Sequence, residues 1–310
     1  MAMASLPRVC VTGGGGFIAS WLVKLLLSRG YAVHATVRNP DDPKNAFLMN
    51  LDGAADNLRL FRADVLDIDS LAAAFAGCEG VFHMASPVPG EKIADPEEEM
   101  MAPTVKGTVN VFDAYESCWS NKEFCKENEN WYGLAKTKSE EIALEYGKKN
   151  GIHVVTVLPG LVFGPLLQSA VLNTSSKVLV YMIQGGPDTM NNKFWPIVDV
   201  RDVSDALLLV YEKAEPSARY ICSLDQMDIV DMLDVMKSMY PNYAYVNKMI
   251  DVGPKVAITS EKLKDLGWIP RKLQETLADS VECYEKAGLL ADVNGNSCRL
   301  PYFYRMNIDG

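Results

Sequence analysis

RVCVTGGGGFIA, residues 8–19, sets the architecture of the chain. Its first five residues form a β-branched run typical of a buried strand, and an apolar pattern with helical spacing begins at Phe17. Between them, Gly13 permits a tight turn, Gly16 lets the backbone approach a pyrophosphate, and the small Ala19 allows the helix to pack closely on the strand. The N–H groups at the start of the helix then face the anion. The stretch therefore predicts a dinucleotide-binding turn.

Strands and helices alternate through the rest of the first half of the chain. Further strands are predicted over Ala32–Val37, Leu58–Ala63 and Gly80–Ala85. Helices are predicted over Ile68–Phe75 and Glu97–Tyr115. This alternation predicts an α/β fold with a doubly wound, Rossmann-like parallel sheet and helices on both of its faces.

The pattern loosens after residue 165 and predicts a second, smaller lobe. We expect a dinucleotide-binding domain over 7–165, a mostly helical substrate lobe over 166–290 that interleaves with the sheet, and a C-terminal tail over 291–310. The helices predicted after residue 165 are Ser175–Gln184, Val203–Lys213, Ile229–Met239, Ser260–Leu266 and Leu273–Ala287.

The alternation breaks once, in the middle of the chain. After Tyr115 comes the polar stretch Glu116–Asn130, then a helix over Trp131–Lys149, and only then a strand over His153–Leu158. Two helices thus follow one another without the strand that the alternation requires, so one central strand is predicted to be missing. Either the strand at His153–Leu158 shifts to pair directly with the fourth strand, or this region is loosely ordered.

Charge and composition exclude several classes of partner. Thirty basic residues stand against forty acidic residues, so the net charge is −10 and nothing indicates binding to nucleic acid or to an anionic membrane. No apolar run approaches the ~18 residues of a membrane span, and the strand beginning at Arg8 leaves no room for a signal peptide. Seven cysteines without a CxxC pair, together with three histidines, predict reduced thiols, no metal and a cytoplasmic location.

The end of the second strand distinguishes between dinucleotide cofactors. An acidic residue there would bind the ribose 2′-hydroxyl of NAD, but this chain has Arg38, whose guanidinium suits a 2′-phosphate. Lys44 can add a second positive charge, so NADP(H) is the predicted cofactor. Asp64, just past the third strand, can accept a hydrogen bond from the adenine amino group, cap the following helix, or do both.

Tyr132 and Lys136 form a Y-x-x-x-K pair on the predicted helix Trp131–Lys149, so their side chains share one face. A phenol with a pKa near ~10 is a weak acid–base group at neutral pH. A nearby ammonium favours the phenolate and is expected to bring the pKa of Tyr132 toward the working range. The same lysine can hydrogen-bond a nicotinamide ribose. The pair therefore predicts acid–base catalysis beside the cofactor.

These residues belong to a larger set of motifs that runs from about Pro7 to Glu285. The set comprises TGGGGFIAS (12–20), VRNPDDPK (37–44), DVLD (64–67), VFHMASP (81–87), NWYGLAK (130–136), PGLVFGPLL (159–167) and IVDVRDVSDALLLVYE (197–212). With them the chain resembles the extended short-chain dehydrogenases/reductases, and among these the plant cinnamoyl-CoA reductase and dihydroflavonol reductase group, most of all its cinnamoyl-CoA reductase-like members. The resemblance implies hydride transfer from NADPH to a carbonyl, with the tyrosine donating the proton.

The resemblance also implies a set of site residues. Tyr132 and Lys136 would be catalytic and would also contact the cofactor, Pro159–Val162 would face the carboxamide, and Ser175 would lie near the pyrophosphate. The cofactor-binding residues implied are Gly13, Gly14, Gly15, Gly16, Phe17, Ile18, Ala19, Arg38, Lys44, Asp64, Val65, Met84, Ala85, Ser86, Tyr132, Lys136, Pro159, Gly160, Leu161, Val162 and Ser175.

Two departures from the family pattern bear on the reaction. Cinnamoyl-CoA reductases proper carry NWYCYGK where this chain has NWYGLAK, which points toward an aldehyde or ketone rather than a CoA thioester. Family members also place a strand and a serine-bearing turn before the ESCWS segment (residues 116–120). That stretch is absent, and neither Ser117 nor Ser120 takes the role of its serine.

Three functions follow as alternatives. The first is an NADPH-dependent reductase of a phenylpropanoid-type carbonyl, either an aldehyde or a thioester, with activity impaired by the loss of the serine-bearing segment. The second is a dihydroflavonol-type ketone reductase. The third is a catalytically inactive, truncated isoform that binds NADP. In each case we expect a monomer or weak dimer whose partner is a small aromatic carbonyl compound.

Overall fold

The computed structural model describes residues 6–88, 95, 97–113, 131–168, 172–215, 218–225, 227–251, 258–290, 299–301 and 304–305. These residues form two compact units. The first unit contains the described residues of 1–88, 93–156 and 207–219, and the second contains those of 89–92, 157–206 and 220–310.

A four-stranded parallel sheet in the order β3-β2-β1-β4 forms the centre of the first unit. This confirms the predicted α/β class with a parallel sheet. Its strands are β1 (Arg8–Thr12), β2 (Ala32–Val37), β3 (Leu58–Arg62) and β4 (Gly80–His83). Its helices are α1 (Phe17–Ser28), α2 (Ala54–Asn57), α3 (Ile68–Phe75), α4 (Gly107–Asp113) and α5 (Trp131–Asn150), with a 3₁₀ segment at Pro43–Asn50 and a π-type segment at Glu97–Lys106.

The central strand β1 is buried on both faces, as expected for a parallel sheet covered by helices. Val9, Cys10 and Val11 have no exposed surface. Helix α1 contributes Leu22 and Leu26, both fully buried, to the core cluster on one face. The strand and the helix that flank the glycine turn are therefore both anchored in the core, which holds the turn between them in place.

Strand β4 forms one edge of this sheet. Among the described residues β4 pairs only with β1, while β5 (Thr156–Pro159) pairs with β10 (Arg219–Cys222). The strand predicted from His153 thus begins at Thr156, and direct pairing of that strand with the fourth is not seen in the described part of the chain. The polar stretch Glu116–Asn130 lies outside the described residues.

The helix predicted over Glu97–Tyr115 consists of two pieces of different geometry. Glu97–Lys106 is wound as a π-type helix and continues into α4. Pro103 lies inside the first piece and has no N–H group, so the regular α-helical hydrogen-bond ladder cannot pass through it. The prediction of a single regular helix was therefore wrong, and Tyr115 itself lies outside the described residues.

The second unit combines helices with short strand pairs. β6 (Leu161–Phe163) pairs in parallel with β9 (Ile197–Asp199), and β7 (Met190–Asn192) pairs in parallel with β12 (Met249–Asp251). β8 (Phe194–Trp195) pairs antiparallel with β11 (Met227–Asp228). The helices are α6 (Thr174–Gln184), α7 (Val200–Lys213), α8 (Ile229–Met239), α9 (Glu261–Asp265) and α10 (Leu273–Lys286); the last turns of α7, from Leu207, belong to the first unit. Helix α6 lies almost wholly in the core, with Val178–Ile183 buried.

Three further properties concern the whole described part of the chain. Cys10, Cys78, Cys222 and Cys283 are free thiols. Within the described residues no group of histidine, cysteine and acidic side chains has the arrangement of a metal site. No helix in the same residues has the length and apolar character needed to cross a membrane.

Candidate active site

The glycine turn lies between the carboxyl end of β1 and the start of α1. Gly13 has a φ of +67°, a conformation that glycine adopts without strain. Its N–H donates to Thr36 Oγ1 (3.1 Å), and the N–H of Gly14 donates to the carbonyl of Thr36 (2.8 Å). The N–H of Gly16 donates to the carbonyl of Gly13 (2.8 Å). These bonds fasten the turn to the end of β2, so its backbone has one defined path.

The turn has no room for side chains. A Cβ on Gly14 would lie 2.8 Å from Ala35 Cβ, and one on Gly15 would lie 2.3 Å from Asn45 Oδ1. Helix α1 begins at Phe17 without a side-chain cap and without an acidic residue in its first turn. Its leading N–H groups and positive dipole end are therefore available to an anion. The bare turn and the uncapped helix fit a pyrophosphate, and Gly13–Ala19 would hold it.

Three cations lie where β2 and β3 end. Arg38 is exposed, and no described carboxylate lies within ion-pair distance of it. Lys44 Nζ lies 2.6 Å from Asp42 Oδ2, so the positive charge predicted for a 2′-phosphate is partly balanced. Arg62 is a third cation that the sequence analysis missed. In the parallel pair β2–β3, Arg62 lies opposite Val37, the residue before Arg38. Aligning the ends of these two predicted strands would therefore have placed Arg62 near Arg38. We call Arg38, Lys44 and Arg62 the strand-end cations.

Asp64 and Val65 form the turn that follows β3. Asp64 Oδ1 accepts the N–H of Leu66 (2.9 Å) and does not cap helix α3. The cap is Asp67, whose Oδ1 accepts the N–H groups of Asp69 (3.2 Å) and Ser70 (3.3 Å), so the capping role predicted for Asp64 was wrong. Asp67 directly precedes the first helical residue, which is the position from which an aspartate caps.

The backbone of this turn is held from α4. Asn110 Nδ2 donates to the carbonyl of Val65 (3.0 Å), and a Cβ on Gly107 would lie 2.7 Å from Val65 Cγ2. Helix α4 therefore packs directly on the turn that the resemblance assigns to the adenine end. The role of Asp64 toward adenine stays a prediction.

Met84, Ala85 and Ser86 follow β4 and lie against the glycine turn. The N–H groups of Met84 and Ala85 donate to Thr12 Oγ1 at 3.0 and 3.1 Å. A Cβ on Gly13 would lie 3.1 Å from the Cα of Ala85. The segment predicted to line the cofactor is thus held at the mouth of the glycine turn.

Tyr132 and Lys136 lie together on α5, as their spacing predicts. Lys136 Nζ lies 5.9 Å from the centroid of the Tyr132 ring. Tyr132 packs on a small cluster that contains Met100, Met101 and Leu134, so the first turns of α5 are held by the π-type segment. The positions of the two side chains thus agree with an acid–base pair.

The electrostatics of the pair differ from the prediction. Burial raises the pKa of Tyr132, so the expected lowering was wrong. Although Lys136 is open to solvent, the protein around its ammonium lowers the pKa to about 8. The phenol therefore stays protonated at neutral pH and is an acid, not a base, in this state.

The remaining predicted residues belong to the second unit. Pro159 ends β5, and Gly160 has no room for a side chain because a Cβ would lie 2.3 Å from the carbonyl oxygen of Pro196. Leu161 and Val162 are buried in β6. Ser175 lies in the first turn of α6, whose cap is Asn173. Their contacts with a cofactor stay predictions.

Comparison with known proteins identifies the class. The model of the "NAD dependent epimerase/dehydratase family" matches residues 9–126 and 119–222. The chain belongs to this family, which includes the extended short-chain dehydrogenases/reductases, and the predictions of a nicotinamide dinucleotide cofactor and of a nicotinamide-dependent oxidoreductase are confirmed at this level.

Among its relatives are plant reductases. Cinnamoyl-CoA reductase 1 of Petunia hybrida is 40% identical over 324 aligned positions, which cover 94% of this chain and 96% of that protein. A putative anthocyanidin reductase of Ginkgo biloba is 35% identical, with 91% and 95% of the two chains covered. The crystal structure of vestitone reductase from alfalfa (Medicago sativa) has a TM-score of 0.74 at 28% identity and covers 91% and 99% of the chains. The predicted likeness to this plant group is confirmed.

The same comparisons bear on the missing segment. The petunia alignment is 324 positions long, more than the 310 residues of this chain, so that relative has residues without a counterpart here. The family match comes in two stretches that meet within residues 119–126. An internal segment absent next to the polar stretch Glu116–Asn130 agrees with both observations.

The lowered pKa of Lys136 can be measured directly. In the ligand-free protein converted to its ¹³C-dimethyl-amine form, the Lys136 resonance should have a titration midpoint near 8, because the protein around this ammonium disfavours its charge; the N-terminal amine titrates in the same range and is identified separately. Lys286 is a suitable reference, because its partner Glu282 raises its pKa. The low midpoint should disappear in Lys136→Arg, and a midpoint above 10 for Lys136 would contradict the structure.

Proposed function

We propose that this protein is an NADPH-dependent reductase of a phenylpropanoid-type carbonyl, an aldehyde or a thioester. It would act on a small aromatic substrate in the cytoplasm, as a monomer or weak dimer. The observation that carries the proposal is the placement of Tyr132 and Lys136. They share one end of α5. Burial lowers the pKa of His83, at the end of β4, to about 4, and the nearby Lys136 ammonium adds a smaller lowering effect.

Each residue of the pair has a distinct role in this reaction. When bound, the cofactor would supply the hydride for the carbonyl carbon. Tyr132, protonated at neutral pH because burial raises its pKa, donates its proton to the carbonyl oxygen. Lys136 holds the cofactor ribose and, while it is charged, stabilises the phenolate that remains after the proton leaves.

The cofactor preference rests on the strand-end cations. Arg38 lies one residue past β2, where a carboxylate would select a 2′-hydroxyl, and it has no described acidic partner. Arg62 Nη2 donates to Asn39 Oδ1 (2.9 Å), which keeps a second guanidinium at the same edge. Asp41 Oδ2 lies 3.6 Å from Arg62 Nη2 and partly balances its charge, so Arg38 is the cation on which the preference mainly rests. A 2′-phosphate would neutralise this positive charge, so the arrangement supports NADP(H) over NAD(H).

The absent serine-bearing segment determines how much activity we expect. The hydroxyl that polarises the carbonyl in relatives has no counterpart assigned here, and removal of one such donor costs about 10²–10³ in rate. The proposal is therefore a slow reductase that binds its cofactor well.

Two alternatives have observations of their own. The likeness to a vestitone reductase and to a putative anthocyanidin reductase supports a dihydroflavonol-type ketone reductase. The departure of NWYGLAK from NWYCYGK also favours a substrate other than a CoA thioester. The absent segment supports a catalytically inactive NADP-binding isoform.

Tyr132→Phe tests the acid role. The change removes only the hydroxyl, so turnover of a phenylpropanoid aldehyde should fall by about 10²–10⁴-fold, while the Kd for NADPH stays within about two-fold. Steady-state kinetics and NADPH fluorescence titration give the two values. Tyr31→Phe is the matched control, since its hydroxyl bonds Glu212 on the surface. Equal turnover of Tyr132→Phe and the unmodified protein would contradict the proposed role.

Arg38→Ala tests the cofactor preference. Loss of the guanidinium should weaken NADPH binding by about 10-fold or more and leave NADH binding nearly unchanged, because only NADPH carries the 2′-phosphate. Arg59→Ala, an exposed arginine within β3, serves as the control. An equal loss for both cofactors would show that Arg38 does not contact the 2′-phosphate.

Restoring the missing segment distinguishes the alternatives. Inserting the corresponding residues of the petunia relative between Tyr115 and Glu116 should raise kcat by about 10²-fold or more on the true substrate, because a carbonyl donor returns. Both proteins are tested on a cinnamoyl-CoA thioester, a cinnamaldehyde and a dihydroflavonol. Activity of the short chain equal to that of the extended one would contradict impairment, and inactivity of both would favour the NADP-binding isoform.

A further inference from the structure

The hydroxyl of Thr12 determines the protonation of a neighbouring histidine. Thr12 Oγ1 accepts the N–H groups of Met84 (3.0 Å) and Ala85 (3.1 Å), and it lies 2.9 Å from His83 Nδ1. A threonine hydroxyl has two acceptor lone pairs and one proton to donate. Both lone pairs are used, so the hydroxyl proton points to Nδ1, which must be unprotonated. The proton of the neutral His83 ring is therefore on Nε2.

The protonated side of the ring faces a buried chain of hydroxyl groups. His83 Nε2 lies 3.5 Å from Thr108 Oγ1, and Thr108 Oγ1 donates to the carbonyl of Thr104 (2.8 Å). The same carbonyl accepts the hydroxyl of Ser139 (3.2 Å), a residue of α5. The chain therefore leads from the end of β4, through the π-type segment and α4, to the helix that carries the Tyr–Lys pair.

Because these hydroxyl groups are buried, breaking the hydrogen bonds between them is energetically costly. Thr12, Thr104 and Thr108 are 0%, 2% and 4% exposed, so water cannot replace a lost partner without rearrangement. These hydroxyl groups also make a second contact with the Met84–Ser86 segment, since Ser86 Oγ lies 3.5 Å from Thr104 Oγ1. Three elements predicted to meet at the cofactor are thus joined by polar contacts of 2.8–3.5 Å.

We propose that His83 is a positioning residue of the catalytic centre, held in the Nε2–H tautomer by Thr12. Its Nδ1 orients the Thr12 hydroxyl, which in turn accepts the N–H groups of Met84 and Ala85 beside the glycine turn. Its Nε2–H faces Thr108, which shares the Thr104 carbonyl with Ser139 on the helix of Tyr132 and Lys136. The inference rests on the proposed function, since it concerns the alignment of the same two sites. It does not make His83 a group that contacts substrate.

The tautomer can be observed without any turnover. The chain has three histidines, so ¹⁵N-histidine spectra are simple to assign with His83→Asn and His153→Asn. At pH 7 His83 should show a bare Nδ1 and a protonated Nε2. His34 is an internal contrast, because its Nδ1 lies 2.7 Å from the carbonyl of Ala74 and must carry a proton. A protonated Nδ1 on His83 at pH 7 would overturn the proposal.

Two variants test the roles of the two His83 ring nitrogens separately. His83→Asn keeps an acceptor at the place of Nδ1, so the Kd for NADPH should stay within about three-fold while kcat falls about 10-fold. His83→Gln keeps a donor at the place of Nε2 but loses the acceptor, so the Kd for NADPH should rise about 10-fold. His153→Asn and His153→Gln, at an exposed position, should change neither value.

The outcomes distinguish this inference from the proposed function. Equal effects of the Asn and Gln variants on Kd and on kcat, or no effect of either, would overturn the positioning role. If neither variant folds by thermal melting, the tautomer spectrum of the unmodified protein decides. If the unmodified protein binds no NADPH, the proposed function fails, while the ¹⁵N spectrum still tests the tautomer.

Discussion

The absence of space around residues 13–16 is the constraint on which the rest of the first unit depends. Ala35 from β2, Asn45 from the 3₁₀ segment and Ala85 after β4 each approach the turn to within contact distance of a Cβ. Three separate stretches of chain therefore converge on one backbone. A side chain at Gly13 would meet Ala85, one at Gly14 would meet Ala35 and one at Gly15 would meet Asn45, so packing restricts the composition of the turn as well as the anion it suits.

The helical segment from Glu97 to Asp113 connects parts of the site that are far apart in sequence. Asn110 bonds the Val65 carbonyl, Thr104 and Thr108 reach the residues around β4, and Ser139 joins it to α5. In the described part of the chain the sheet ends at β4, so this segment links α5 to the cofactor-lining turns by hydrogen bonds instead of through a neighbouring strand.

Local patterns predicted the elements whose signals lie within a few residues. The glycine turn, β2 and the helix Ile68–Phe75 were predicted with their observed bounds, because the turn glycines, the strand pattern and the apolar helical spacing are all local signals. The prediction of one regular helix from Glu97 was wrong because it left Pro103 out of account, although the missing N–H of that residue is a local signal. Capping of α3 by Asp64 was one of two roles considered for that residue, and the structure has Asp67 as the cap, at the position directly before the helix.

The site was harder to predict than the fold because its properties arise from distant residues. The spacing of Tyr132 and Lys136 placed them on one face, but the direction of the tyrosine pKa shift follows from burial by Met100 and its neighbours. Arg62 and the Thr12–His83 contact depend on the register of parallel strands. No single stretch of sequence contains that information.

The strand-end cations also affect how fast an anionic ligand arrives. The whole chain carries a net charge of −10, which repels a dinucleotide over a Debye length, about 30 Å at 0.01 M salt and about 10 Å at 0.1 M. The strand-end cations attract it locally. Added salt screens both the repulsion by the net charge and this local attraction, so the two act in opposite directions on the rate at which an anionic ligand arrives.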